Sequence, residues 1–191
     1  SFVNECLKED QSSFDYSSII FGDDEGYAEI LAKETGVVAG IAFVNAVFKE
    51  MGCSITWEVK DGDKIAISPK VIAKIKGSRK EILHSKPLAL NIFARASGIA
   101  TLARKMADKV SNLKWTGTLT GTTKFTPGFR LVEKYAMFVG GIDTSRYDPS
   151  TLLVLDSNHI AFCGSIKEAV ASARKLCTTT KIAVMCKSQK Q

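Results

Sequence analysis

The chain has 191 residues, of which 45% are hydrophobic, and its formal net charge is +6. This length suits one domain of ordinary size or two small ones, with enough apolar residues for a sizeable core. No apolar stretch is long enough to cross a bilayer, and Lys and Arg are spread along the whole chain, which argues against a nucleic-acid-binding or membrane-inserting protein.

The first half of the sequence mixes helix and strand signals without a regular strand–helix alternation. A short helix is predicted to begin at Ser1, and residues 27–33 alternate apolar and polar side chains as a strand does. Apolar residues recur at helical spacing after Gly40, and Gly52 is placed to end that helix. Further strands are predicted at residues 54–59, 64–67 and 71–77.

A long helical pattern follows, and then the pattern changes. Residues 81–105 are apolar on one face, and Pro87 suits the first turn of a new helix better than a helix interior. Later elements alternate in type, as in a parallel α/β unit with right-handed crossovers. They are a strand at 115–122, a helix at 128–139, a strand at 151–155, a helix at 165–175 and a strand at 182–186. Ser165 and Glu168 have the spacing of a capping box.

The cysteines and the amino end bear on the compartment. Five cysteines, widely spaced and without a C-x-x-C pair, predict free and mostly buried thiols in a reducing environment rather than a zinc site or a disulfide framework. Ser1 is followed by no apolar signal region, although an organellar presequence removed earlier, or a start outside this sequence, stays open. We expect an intracellular protein, either cytoplasmic or in an organelle such as the mitochondrion.

Several motifs follow one another along the chain. Residues 89–101 read ALNIFARASGIAT, and residues 126–135 read TPGFRLVEKY. Gly140-Gly141, Arg146-Tyr147-Asp148 and Asn158-His159-Ile160 follow at matching spacing. In these segments the chain resembles the quinolinate phosphoribosyltransferases, and most closely their eukaryotic branch.

The resemblance implies an activity and a fold. Family enzymes make nicotinate mononucleotide from quinolinate and phosphoribosyl pyrophosphate, release carbon dioxide and pyrophosphate, and need magnesium. Both substrates are polyanions, so their pocket requires several Arg, Lys and His side chains. The implied fold class is α/β: an N-terminal α/β sandwich-like domain at residues 1–100, then the first half of a parallel β/α barrel at residues 101–191.

The chain departs from the family where substrates are held. Thr123 replaces an arginine, Ser145 replaces a histidine, and Asp156 replaces a lysine. Two family carboxylates correspond to Ala183 and Met185, and a family arginine next to the ALN motif is absent at Pro87. Each lost charge-assisted hydrogen bond is worth about 1.5–3 kcal/mol, so we expect no competent catalytic residue and no bound metal.

Three family positions are retained as candidate anion contacts. Lys124 either binds an anion or is a solvent-facing lysine at a strand end. Arg146 either grips an anion or pairs with Asp148 or Asp156, and His159 is either a ligand or a hydrogen-bonded turn residue.

These residues leave three hypotheses about the function. The leading hypothesis is a non-catalytic, quinolinate phosphoribosyltransferase-like subunit with a scaffolding role, whose half barrel is completed or covered by other protein chains in a homo- or hetero-oligomer. It needs no cofactor. The alternative is an active or split quinolinate phosphoribosyltransferase with magnesium, in the synthesis of nicotinamide dinucleotides. The third is a binding module for a phosphorylated ligand.

Overall fold

Six helices and seven strands make up the part of the chain that the computed structural model describes, residues 2–10 and 20–188. Numbered in chain order, they are α1 (Phe2–Asp10), β1 (Glu25–Ala32), β2 (Gly36–Val37), α2 (Ile41–Glu50), β3 (Ser54–Trp57), β4 (Lys64–Ile65), β5 (Lys70–Ser78), α3 (Arg79–Asn112), α4 (Arg130–Gly140), β6 (Leu153–Leu155), α5 (Ser157–Cys163), α6 (Ile166–Leu176) and β7 (Ile182–Val184). The α/β class is confirmed.

The chain divides into two compact units, one ending at Thr144 and the other beginning at Ser145. The predicted domain boundary near residue 100 falls inside α3 and stays a prediction. None of the described helices combines the length and the apolar character that a membrane crossing requires. All five cysteines are free, as predicted, but only Cys53 is buried, so the prediction of mostly buried thiols is wrong.

Two antiparallel sheets organise the first unit. Strands β1, β5 and β3 form one sheet in that order, and β2 pairs with β4. The predicted strands fall within a few residues of the observed ones because alternating apolar side chains pack one face of the sheet against the helices. Helix α2 begins after Gly40, whose φ of 104° is readily adopted only by glycine.

The core of the first unit lies along one face of α3. Small and medium side chains repeat on this face at intervals of three or four residues, which is the spacing of one helix face. They are Ile82, Ser85, Ala89, Ile92, Ala96, Ala100 and Ala103. Val44, Val47 and Phe48 of α2 belong to the same core and are almost fully buried.

Pro87 lies inside α3, and the prediction that it opens a new helix is wrong. Proline has no N–H for the carbonyl four residues back, which costs a helix interior about 3 kcal/mol. The residues flanking Pro87 at Ile82, Leu88 and Ile92 are buried in one core. Burial of both halves of α3 therefore outweighs the local cost of the proline.

Replacing Pro87 by alanine is expected to stabilise the protein. Alanine restores an N–H donor to the carbonyl of Leu83, and the gain is partly offset because the unfolded chain becomes less restricted. The expected increase in the free energy of unfolding is about 1–2 kcal/mol, measured by urea titration of the helical circular dichroism signal. The matched control is Lys86→Ala, an exposed neighbour, which should change stability by less than about 0.5 kcal/mol. A destabilised Pro87→Ala protein would contradict this account.

The predicted strand at residues 115–122 is not formed. Between α3 and α4, the structure shows a single isolated parallel bridge, from Thr120 to Asp143. The N–H of Asp143 donates to the carbonyl of Leu119 at 3.0 Å, and the N–H of Gly121 donates to the carbonyl of Asp143 at 2.7 Å. A strand needs a partner along its whole length, and this segment pairs at one point only.

The second unit is a parallel β–α–β arrangement, as predicted. Strand β6 pairs in parallel with β7, and α5 and α6 connect them. Leu155, Ala169 and Ala173 form its small core. The Ser165 hydroxyl accepts the N–H of Glu168 at 3.1 Å and so caps α6.

Candidate functional site

Lys124 lies in a segment that precedes α4, and residues 121–126 are called the Lys124 loop below. Its side chain is exposed, and its Nζ is 3.5 Å from the Thr123 hydroxyl. The backbone N–H of Lys124 donates to the Thr122 hydroxyl at 3.1 Å. At the start of the loop, Gly121 is bonded to Asp143. The ammonium is thus accessible to an anionic ligand, while the backbone beside it is held.

The other end of the Lys124 loop is bonded to a buried carboxylate. Glu133 is only 3% exposed. Its Oε1 accepts the Thr126 hydroxyl at 2.8 Å, and its Oε2 accepts the Thr126 N–H at 3.1 Å. Arg95 Nη2, from α3, donates to Oε1 at 2.8 Å and to the Thr126 hydroxyl at 3.4 Å. These three residues are called the Glu133 cluster.

The electrostatics of the Glu133 cluster favour the ionised carboxylate. Burial of Glu133 would raise its pKa, but the hydrogen bonds from Arg95 and Thr126 outweigh burial and hold the pKa below its ordinary value. Glu133 also lies in the first turn of α4, where the helix dipole favours a negative charge.

Phe125 adds a third contact between the Lys124 loop and α4. The guanidinium carbon of Arg130 lies 4.4 Å from the centre of the Phe125 ring, which is the geometry of a cation–π interaction. The loop is therefore joined to the first turn of α4 at two consecutive residues, Phe125 and Thr126.

A second polar contact ties α4 to the amino end of α2. The Tyr135 hydroxyl donates to Asp61 Oδ2 at 2.5 Å, and Asp61 Oδ1 accepts the N–H of Ile41 at 3.2 Å. Burial, together with the bond to the Asp61 carboxylate, raises the pKa of Tyr135 to about 12. Tyr135 is therefore a neutral donor at physiological pH.

Arg146 and His159 belong to the second unit, at opposite ends of β6. Arg146 is half-buried, and its Nη1 donates to the carbonyl of Leu152, just before β6, at 2.7 Å. His159 follows β6 in the first turn of α5, and its Nδ1 is 2.6 Å from Asp156 Oδ1. Lys124 belongs to the first unit. The roles of these three residues in binding anions stay predictions.

Asp156 is the N-cap of α5. Its carboxylate accepts the N–H groups of Asn158 at 2.9 Å and His159 at 3.1 Å, which caps the first turn of the helix. The hydrogen bond with the His159 side chain is the main cause that lowers the pKa of Asp156, and the backbone N–H of His159 adds to it. The acid that replaces a family lysine is thus engaged with its own helix.

A cluster of protein side chains that could bind magnesium is absent from the described residues. No three His, Cys, Asp or Glu side chains of residues 2–10 and 20–188 converge as a metal site. Met185, at a family carboxylate position, directly follows β7 and is 55% exposed. The expectation of no bound metal stays a prediction.

A mostly apolar cavity of about 650 Å³ lies between β1, β2 and α3 in the first unit. Ile72, Leu90 and Phe93 contribute to its walls, and Lys33 and Lys105 lie among its polar residues. Neither this cavity nor the Glu133 cluster was predicted from the sequence. The signal for the cluster was present in TPGFRLVEKY, where an acid stands next to Val132, on the apolar side of an amphipathic helix.

Two family models match most of the chain. Quinolinate phosphoribosyl transferase, N-terminal domain, matches residues 15–97, and the C-terminal domain of the same family matches residues 99–191. The carboxylating nicotinate-nucleotide pyrophosphorylase of Dictyostelium discoideum is 38% identical, over 99% of this chain and 68% of its own length. The Homo sapiens protein of the same name is 36% identical, over 98% of this chain and 63% of its own length.

A solved structure agrees with these matches. NadC from Streptococcus pyogenes has a TM-score of 0.86 and 33% identity, over 97% of this chain and 67% of its own. The chain thus spans about two thirds of the length of these relatives. The expectation of a chain without catalytic activity is wrong, because relatives that match it along nearly its whole length are named as enzymes. On these matches, the chain belongs to the quinolinate phosphoribosyltransferase family.

Proposed function

We propose that the protein to which this chain belongs is a quinolinate phosphoribosyltransferase. It joins the ring nitrogen of quinolinate to the ribose carbon of phosphoribosyl pyrophosphate, with loss of pyrophosphate and carbon dioxide, and yields nicotinate mononucleotide. The observation that carries the proposal is the 38% identity with the Dictyostelium discoideum enzyme over 99% of this chain.

The exposure of Lys124 and the bonds that hold its loop support the proposal. An exposed ammonium on a loop held at both ends is suited to a phosphate or carboxylate group, because little backbone conformational entropy is lost when the anion binds. Arg146 is the second retained cation, and its bond to the Leu152 carbonyl gives its guanidinium a defined position.

The substituted positions set an expectation about affinity. Thr123, Ser145 and Asp156 supply no cation where family members have one. Since each charge-assisted hydrogen bond contributes about 1.5–3 kcal/mol, we expect this protein to bind its substrates more weakly than relatives that keep these cations. Association with another protein chain stays a prediction.

An assay of the whole protein tests the proposal. Quinolinate, phosphoribosyl pyrophosphate and magnesium are supplied, and nicotinate mononucleotide is measured by chromatography. Replacing Lys124 by alanine is expected to lower kcat/KM by roughly 10- to 100-fold, the effect of one lost charge-assisted contact.

The matched control is Lys49→Ala, which removes an exposed lysine from the last turn of α2. This variant is expected to keep the wild-type kcat/KM. Absence of product at millimolar substrate, or equal activity of Lys124→Ala and wild type, would count against the proposal as stated.

A further inference from the structure

Glu133 places a negative charge where almost no solvent reaches it. A buried carboxylate costs several kcal/mol unless donors satisfy it, and Glu133 accepts three hydrogen bonds. One donor is Arg95 on α3, which is enough to join the two helices. The other two donors both belong to Thr126, in the segment just before α4.

These two donors fix Thr126 more fully than a single bond would. One is the backbone N–H and the other is the side-chain hydroxyl, and they reach different oxygens of the same carboxylate. Arg95 contacts both the carboxylate and the hydroxyl, so it restricts the orientation of the carboxylate itself. The backbone at Thr126 is thereby held in place and orientation relative to α3 and α4.

The position of Lys124 depends on this anchor. Lys124 precedes Thr126 by two residues, so its Cα lies within about 7 Å of that of Thr126. Phe125, between them, is stacked with Arg130. The far end of the loop is bonded through Gly121 to Asp143. With both ends fixed, the exposed ammonium has a limited space in which to move.

We propose that Glu133 is a positioning residue that acts through Thr126 to hold Lys124 where an anionic group of a substrate, a phosphate or a carboxylate, binds. The identity of that ligand rests on the proposed function, whereas the anchoring of the loop rests on the geometry alone. The two bonds from Thr126 satisfy the buried carboxylate and at the same time fix the backbone two residues after Lys124.

The test substitution is Glu133→Gln, which keeps the side-chain shape. Its amide nitrogen cannot accept a hydrogen bond, so either the Thr126 N–H or the pair of donors at Oε1 loses its acceptor. We measure kcat/KM with each substrate varied in turn, and expect it to fall roughly 10-fold for the one whose anionic group Lys124 binds, quinolinate or phosphoribosyl pyrophosphate. Amide hydrogen exchange over residues 121–128 should become faster by a similar factor.

A double-mutant cycle with Lys124→Ala separates positioning from general stability. If Glu133 acts through Lys124, Glu133→Gln lowers kcat/KM by less than about twofold once Lys124 is absent. Thr126→Ala is a second route in case Glu133→Gln does not fold, and Thr126→Ser, which keeps the hydroxyl, should recover most of the lost activity. Glu50→Gln, at an exposed carboxylate, is the control and should match wild type in both measurements.

Two results would overturn the proposal. One is an equal loss of kcat/KM from Glu133→Gln with and without Lys124, and the other is unchanged hydrogen exchange over residues 121–128. If the wild-type protein forms no nicotinate mononucleotide, the proposed function fails separately. The exchange measurement then decides alone, because faster exchange supports anchoring by Glu133 and unchanged exchange rejects it.

Discussion

Replacing Ile92 by alanine is expected to lower the free energy of unfolding by about 3–4 kcal/mol, within the range of 2–5 kcal/mol typical of such truncations. Ile92 is completely buried in the middle of α3. Its neighbours on the helix face include Ala89 and Ala96, whose small side chains cannot move to fill the space. A loss of this size is a large share of the 5–15 kcal/mol that typically stabilises a domain.

Tryptophan fluorescence during urea unfolding measures the loss of stability in the first compact unit, which contains Ile92. Both tryptophans of the chain, Trp57 and Trp115, precede Thr144, and the Trp57 ring lies 5.3 Å from the ring of Phe93, next to Ile92. The matched control is Leu90→Ala on the same helix. Leu90 is 39% exposed, so its truncation should cost about 1 kcal/mol or less. Equal losses from the two substitutions would contradict the assignment of the core to this face of α3.

Ile92 is buried and Leu90 is exposed, and this kind of difference along a helix could be predicted from the sequence. Local periodicity predicted most helices and strands, because a repeating pattern of apolar side chains needs only neighbours in the chain. The same reasoning failed at Pro87, where the burial of residues on both sides outweighs a local rule. It failed again at residues 115–122, where the outcome depends on whether a partner strand runs alongside.

The candidate functional residues also fall into those that were predicted and those that were missed. Lys124, Arg146 and His159 were predicted from motif letters, and their roles in binding anions stay predictions. The Glu133 cluster was missed because Arg95 and Glu133 are 38 positions apart, and only the packing of α3 against α4 brings them together. Asp156 was predicted only as the replacement of a family lysine, and its local role as the N-cap of α5 is visible only in the structure.

Ionisation of Glu133 is expected to make the stability of the protein depend on pH. Its pKa in the folded state lies below the ordinary value of 4.5, so the folded protein binds this proton less readily than the unfolded chain. The carboxylate therefore stabilises the fold fully above pH 4.5, and this contribution is lost as the pH falls through the folded pKa. Glutamine carries no charge at any pH, so the Glu133→Gln variant lacks the contribution throughout.

The expected result is a difference in unfolding free energy between wild type and Glu133→Gln of about 2–3 kcal/mol at pH 7, typical of hydrogen bonds to a buried charge. The difference should shrink as the pH is lowered from 7 to 3, because below pH 4.5 the unfolded chain takes up this proton more readily than the folded protein does. Urea titrations at a series of pH values measure it, with Glu50→Gln as the exposed control, expected to stay within about 0.5 kcal/mol of wild type. A constant difference from pH 7 to pH 3 would mean that the charge of Glu133 contributes nothing and that shape alone fills the site. Only the pH-dependent result is consistent with three donors converging on one buried carboxylate.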